Sequence, residues 1–153
     1  MKIAGEITVK APRSAVFDKL RDAKFFASCV DGVRDLNEID QARYTAVLET
    51  RVAYMKFKFN VSVDVVRISP PDEIEAKVEG TPLGVVGRMT ASSTTKLTEA
   101  GNETKVNYTV ESTLTGKLGA LGQPVLKSKA KQMEKQFAQR LRAAFETPMT
   151  VPP

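Results

Sequence analysis

The 153-residue sequence predicts an α+β fold: a curved antiparallel sheet of about seven strands around one long C-terminal helix, with two short helices after the first strand. Three observations predict it. Between Gly116 and Glu146 lies the one long helical pattern, with Leu126, Ala130, Met133, Phe137, Leu141 and Ala144 recurring at steps of three and four. From Arg43 to Leu114 apolar and polar residues alternate with a period of two, broken by turn signals, as in antiparallel sheet with one covered face. Strands and helices also segregate along the chain, which argues against a parallel sheet. The helix stripe needs a sheet to cover it, and a curved sheet cannot close tightly on one helix. An apolar cleft of the size that takes small molecules, roughly 300–1,000 Å³, is expected where they diverge.

In order, Ile3, Gly5, Ile7 and Val9 alternate with Lys2, Glu6, Thr8 and Lys10 in the first strand. Pro12 opens a short helix with Val16, Phe17 and Leu20 inward, and a second begins near Asp22 with Phe25, Phe26 and Cys29. Asp31-Gly32 is a turn, Val33 to Glu38 a short strand, and a further turn follows around Asp40. Tyr44, Ala46, Leu48, Thr50 and Val52 share one face of a strand, and Phe57, Phe59, Val61, Val63 and Val65 share one face of the next, making a long hairpin. Pro70-Pro71-Asp72 breaks the sheet; Ile74, Ala76 and Val78 resume it, and Gly80-Thr81-Pro82-Leu83-Gly84 is expected to break it again. Met89 to Leu97 and Val106 to Leu114 supply the last two strands. The long helix is expected from Pro124 to about Glu146, roughly 35 Å at 1.5 Å per residue. Lys117 to Gly122, with Gly119 and Gly122, reads as a separate or frayed turn. One domain over 1–147 is expected, then a short tail, Pro148 to Pro153, too short and proline-rich to span a membrane.

Composition excludes several chemistries. Histidine is absent, which removes the commonest general base and metal ligand, and the lone Cys29 allows neither an internal disulfide nor a zinc or iron–sulfur site. No glycine-rich phosphate loop or nucleophile elbow occurs, so no catalytic constellation and no cofactor is expected. No signal peptide or membrane-spanning run is visible, so a cytoplasmic protein is expected. The stretch from Gly116 to Glu146 holds seven basic residues against Glu134 and Glu146, leaving sixteen of each sign from the chain's 23 basic and 18 acidic residues. The whole excess of +5 therefore sits on the helix segment. Lys127, Lys129, Lys131, Lys135 and Arg142 either keep a solvated helix back soluble or form a basic surface that meets an anionic membrane or an acidic partner. No aromatic side chains interleave with them, which argues against nucleic acid.

The order of elements resembles the helix-grip fold of the START and Bet v 1-like (SRPBCC) superfamily. Within it the chain resembles the G-subunit family of carbon monoxide dehydrogenase through Val9-Lys10-Ala11-Pro12, Leu20-Arg21-Asp22, Cys29-Val30-Asp31-Gly32, Thr104-Lys105-Val106-Asn107-Tyr108, Gly116-Lys117-Leu118-Gly119-Ala120-Leu121-Gly122 and Met133 to Phe137, in the family's order and spacing. Asp31 stands where the family usually has proline, and Phe17 where an early tryptophan is common. The resemblance implies an accessory protein of a molybdenum-containing hydroxylase, acting in membrane attachment, maturation or electron hand-off, peripheral to the inner face of the membrane.

The leading functional reading is a non-enzymatic binder of a hydrophobic, lipid- or quinone-like molecule. Phe57, Phe59, Val61, Met89, Tyr108, Val110, Met133 and Phe137 are expected to line the cleft, with Phe25 and Cys29 at its mouth and Leu126 beside the exit; each is also an ordinary core residue type. Tyr108 is singled out because a buried phenol needs a hydrogen-bond partner. Two rivals stay open: a cyclase- or aromatase-like enzyme of the same fold, for which only Tyr108, Arg88, Glu49 and Arg51 are available, and a ligand-free assembly module.

Overall fold

Strand β1 (Lys2–Val9) takes its place from its alternation: Ile7 and Val9 are 3% and 0% exposed, while Lys2, Ala4 and Glu6 face solvent. The computed structural model describes residues 1–146. The chain leaves β1 through α1 (Arg13–Arg21), seated on Val16, Phe17 and Leu20, and α2 (Ala23–Ser28), whose N-cap Asp22 accepts the Lys24 backbone N–H at 3.0 Å. These helices carry it to the far edge of the sheet. There β2 (Val33–Glu38) starts a meander through β3 (Arg43–Val52), β4 (Met55–Ser69), β5 (Glu73–Pro82), β6 (Gly87–Ala100) and β7 (Glu103–Thr115). The sheet is antiparallel with the order β1-β7-β6-β5-β4-β3-β2, so β1 and β2, neighbours in sequence, are its two edges. A single turn, α3 (Gly116–Gly119), then leads into α4 (Gln123–Ala143), with Pro124 in its first turn.

Two boundaries differ from the sequence reading. Strand β5 runs through Gly80, Thr81 and Pro82 instead of breaking there: Val61 faces Gly80 and Phe59 faces Pro82. Pro82 is tolerated because it is the last residue of the strand, and Gly80 makes room for Met89, whose Cε would lie 3.0 Å from an added Cβ. The long helix ends at Ala143, three residues before Glu146, although turn-type bonds continue from Phe145 N–H to the Arg142 carbonyl at 3.0 Å. The tail expected from Pro148 lies outside the described residues.

The register brings the inward side chains into rows. Ile3, Val110, Ser93, Ala76 and Val65 form one row across five strands, and Gly5, Tyr108, Thr95 and Ile74 form the next. The buried core is divided. One cluster, Ile7, Val9, Val16, Phe17, Leu20, Leu97, Val106 and Leu141, holds α1 and the C-terminal end of α4. The other, Val52, Phe57, Phe59 and Leu118, holds the β3–β4 turn, α3 and the start of α4.

A cleft between sheet and helix with a tyrosine–glutamate centre

Between the two clusters the sheet and the helix do not seal. Helix α4 comes closest to β1 and β3, near the flanks of the sheet, and spans the concave face between them. Of its stripe only Leu141 is fully buried; Leu126, Ala130, Met133 and Phe137 are half-buried, and Ala144, expected on the stripe, is exposed because the helix ends one residue before it. Opposite, Ile3, Val61, Val63, Val78, Ala91 and Val110 point inward yet are also half-buried. Apolar residues on both walls that keep solvent-accessible surface define a cleft rather than a packed seam.

The polar centre of this cleft is Tyr108. Its hydroxyl donates to the Glu134 carboxylate, joining β7 to the middle of α4. Burial first, then the hydrogen bond and negative charge of Glu134, push the phenol well above its ordinary pKa, so it stays protonated and remains a donor. The ring fits because its neighbour on β1 is glycine: a Cβ on Gly5 would come 2.3 Å from the Tyr108 oxygen. Tyr44, the inward tyrosine at the start of β3, is pushed up to about 12 by burial.

The aromatic and sulfur residues expected in the cleft divide between its ends. Phe25, Tyr108 and Phe137 pack against the cluster at the α1 end, whereas Val61, Met89 and Leu126 pack against the other; Phe57 and Phe59, 3% and 5% exposed, are buried parts of that second core. Val110 and Met133 lie half-buried between them. Cys29 is 1% exposed at the end of α2, and burial outweighs its Ser28 hydrogen bond and the Arg140 charge to raise its thiol pKa, so it packs as a small hydrophobe. Sequence reasoning misses two contributors. Phe26, 39% exposed, lies against Phe137 with ring centroids 5.0 Å apart, so it, more than Phe25, flanks the helix. Glu134 enters the sequence reading only as charge, although it lies four residues after Ala130 and three before Phe137, on the apolar stripe itself.

The loop after α2 is fastened to the helix. Asp31 accepts from the Arg140 guanidinium and from Gln136 at 2.5 Å, while its own N–H donates to Gln136 at 3.2 Å. The hydrogen bonds from Arg140, then Gln136, hold the Asp31 carboxyl below the usual carboxylate range. An NMR titration of the Asp31 carboxyl is therefore expected to show a midpoint below about 3.9, rising toward that value in Arg140→Gln. Identical midpoints in the two proteins would show that the pair does not persist in solution. A depressed folded-state pKa makes this tether complete above the unfolded value and lost as pH falls through the folded one.

Of the remaining candidates, Arg88 pairs with Glu79 at 2.9 Å, and Glu49 pairs with Arg34 and lies near Lys56 and Lys58; Arg51 is exposed. Arg88, Glu49 and Arg51 all sit on the outer face of the sheet, away from the cleft. On the helix, Lys127, Lys131 and Lys135 are exposed and Lys129 half-buried, while Arg142 donates to the Thr8 carbonyl at 3.2 Å and so is partly committed to β1. A shallow depression of about 430 Å³, lined by outward residues including Lys77, Glu79, Ser92 and Glu111, lies on the outer face and shares none of the cleft's aromatic lining. Among the described residues no helix is long and apolar enough to cross a membrane.

Several solved structures share this architecture. A conserved protein from Geobacillus kaustophilus is 27% identical, with a TM-score of 0.86 and 94% of each chain covered. A START superfamily protein from Mycobacterium smegmatis is 9% identical, with a TM-score of 0.71 over 94% of this chain and 95% of that one. An aromatase/cyclase, Zhui, from Streptomyces sp. R1128 is 14% identical, with a TM-score of 0.70 over 94% and 92%. The last two show the helix-grip fold alone. No curated protein matches the chain. Residues 5–145 match the family of the carbon monoxide dehydrogenase G subunit (CoxG), a span that takes in both core clusters, Gly5, Tyr108 and Glu134, and the chain belongs to that family.

Proposed function

We propose that this protein is a non-enzymatic binder of a hydrophobic small molecule. It works beside a molybdenum-containing hydroxylase of the carbon monoxide dehydrogenase type, in membrane attachment, maturation or electron hand-off. The observation that carries the binding role is the half-buried apolar cleft with one Tyr108–Glu134 pair toward its α1 end. Apolar walls with few convergent polar groups suit a ligand held by shape and oriented by one hydrogen bond. Family membership supports the hydroxylase partner.

An isoprenoid quinone is the ligand we favour, and the polar pair bears on its redox state. Because the Tyr108 hydroxyl donates its hydrogen bond to Glu134, what the pair offers a ligand is the remaining acceptor capacity of the carboxylate. A quinol hydroxyl can donate to it directly; a quinone carbonyl needs the tyrosine proton turned away from Glu134. A hydrogen bond to a charged group contributes about 1.5–3 kcal/mol, so the reduced form is expected to bind about tenfold or more tighter. Titration calorimetry with a short-tail quinone and its quinol checks this, and Glu134→Gln should narrow the difference. Heats that fail to saturate with either form would remove the quinone. Saturable binding that ignores Glu134→Gln would keep a ligand but discard the polar pair as its anchor.

A further inference from the structure

We propose that the end of the molecule where the β3–β4 turn, the β5–β6 loop and α3 meet docks on an anionic lipid bilayer, with Tyr54, Leu83 and Val86 entering the headgroup region. This gives the membrane-attachment part of the proposed function a surface, and its test contains no quinone, so its failure leaves the cleft reading standing.

The three segments converge through their backbones. Leu83 N–H donates to the Lys58 carbonyl at 2.8 Å, Lys117 N–H donates to the Val86 carbonyl at 2.9 Å, and Gly87 bridges to Gly116. At their tips Tyr54 and Val86 are each 85% exposed and Leu83 is 44% exposed. Tyr54 is held out by a two-residue turn between Val52 and Met55 in which Ala53 has a φ of 55°. Apolar side chains on separate protruding turns do not form the continuous flat patch of a protein interface, but they suit insertion between headgroups, where an aromatic with a polar tip is at home.

The charge around these tips is mostly basic, with Glu49 and Glu79 beside it. The stretches 50–58, 80–88 and 112–133 contain no Asp or Glu and hold Arg51, Lys56, Lys58, Arg88, Lys117, Lys127, Lys129 and Lys131. Lys56 and Lys58 lie beside Glu49, and Arg88 is paired with Glu79; among the described residues the other five have no carboxylate in ion-pair contact. The opposite end of the strands carries Asp40, Asp64, Asp72, Glu73 and Glu99 together with Arg13, Arg43, Arg67 and Lys96, so acids and bases nearly balance there. The molecule is thus charge-polarised along its strands, and an anionic surface orients it with the tips forward.

Vesicle cosedimentation tests this, with phosphatidylglycerol mixed into phosphatidylcholine against phosphatidylcholine alone. Binding is expected only to the anionic vesicles and to weaken with salt. The double variant Tyr54→Ser/Val86→Ser is expected to bind about tenfold or more weakly while keeping its melting temperature, because both side chains are already in water. Lys127→Gln/Lys131→Gln should also bind at least tenfold more weakly, and Ile39→Ser/Val66→Ser at the other end should change nothing. Unchanged binding in the Tyr54/Val86 variant would overturn the proposal, showing that the helix lysines act alone. No binding to anionic vesicles at low salt would overturn it too, making an acidic protein surface the better partner for this end.

Discussion

Replacing Phe17 by alanine is expected to cost about 3–5 kcal/mol of stability, enough to leave this chain marginal or unfolded. Phe17 is 1% exposed at the heart of the cluster that joins α1 to β1, β6, β7 and the last turns of α4. Its neighbours come from elements far apart in sequence, so they cannot collapse into the space without moving whole elements, and the cavity stays. Phe137→Ala supplies the contrast. Phe137 has the same side chain on the helix stripe, but it is half-buried beside Phe26 at the edge of the cleft, so its loss should cost about half as much or less. Denaturant unfolding of both variants checks the ranking. Equal losses would mean that the cleft near Phe137 is closed in solution; a loss under about 1 kcal/mol for Phe17→Ala would contradict the division of the core into two clusters with a gap between them.

That division is only partly legible in the sequence. Periodicity indicates which way a side chain points, and it places every inward row correctly, from Ile3-Gly5-Ile7-Val9 to the β7 face of Val106, Tyr108, Val110 and Leu114. Periodicity does not indicate how far the facing element stands away. Leu126, Ala130, Met133, Phe137 and Leu141 form one unbroken stripe, yet only Leu141 reaches full burial, because sheet curvature is a property of the assembled strands. The strand through Gly80 and Pro82 is hidden for a related reason. Two breaker residues are acceptable there because one makes room for Met89 and the other ends the strand, and both facts depend on the partner strands. Glu134 is the most recoverable omission. An acid at an inward position of a helix otherwise free of acids from Gly116 to Phe145 is a buried-polar signal, and a buried carboxylate needs a donor. Tyr108 is already the sequence's candidate for a phenol in need of a partner; joining the two requires the register that sets β7 beneath α4.

Gly32→Ala is expected to be the second severe substitution, costing about 2–4 kcal/mol, although it adds one methyl group at an exposed position. Two effects add here. Gly32 has a φ of 86°, where a Cβ meets its own backbone, at a cost of roughly 1–2 kcal/mol. An added Cβ would also lie 2.0 Å from the Glu49 carbonyl oxygen of β3, and a backbone atom in a paired strand cannot swing aside. Relief means pulling the loop from β3, which breaks the bond from Glu49 N–H to the Gly32 carbonyl at 2.9 Å and disturbs the adjoining Asp31 tether to Gln136 and Arg140. A lost hydrogen bond adds about 1 kcal/mol. Gly101→Ala separates the two effects: Gly101 has a φ of 64° in the β6–β7 turn, but nothing lies within 4 Å of its added Cβ, so only the backbone cost of about 1–2 kcal/mol remains. Thermal unfolding of the pair is the measurement. Gly32→Ala should lower Tm clearly more than Gly101→Ala; equal shifts would show that the loop yields freely, and that the close approach to β3 does not fasten α2 beside the cleft.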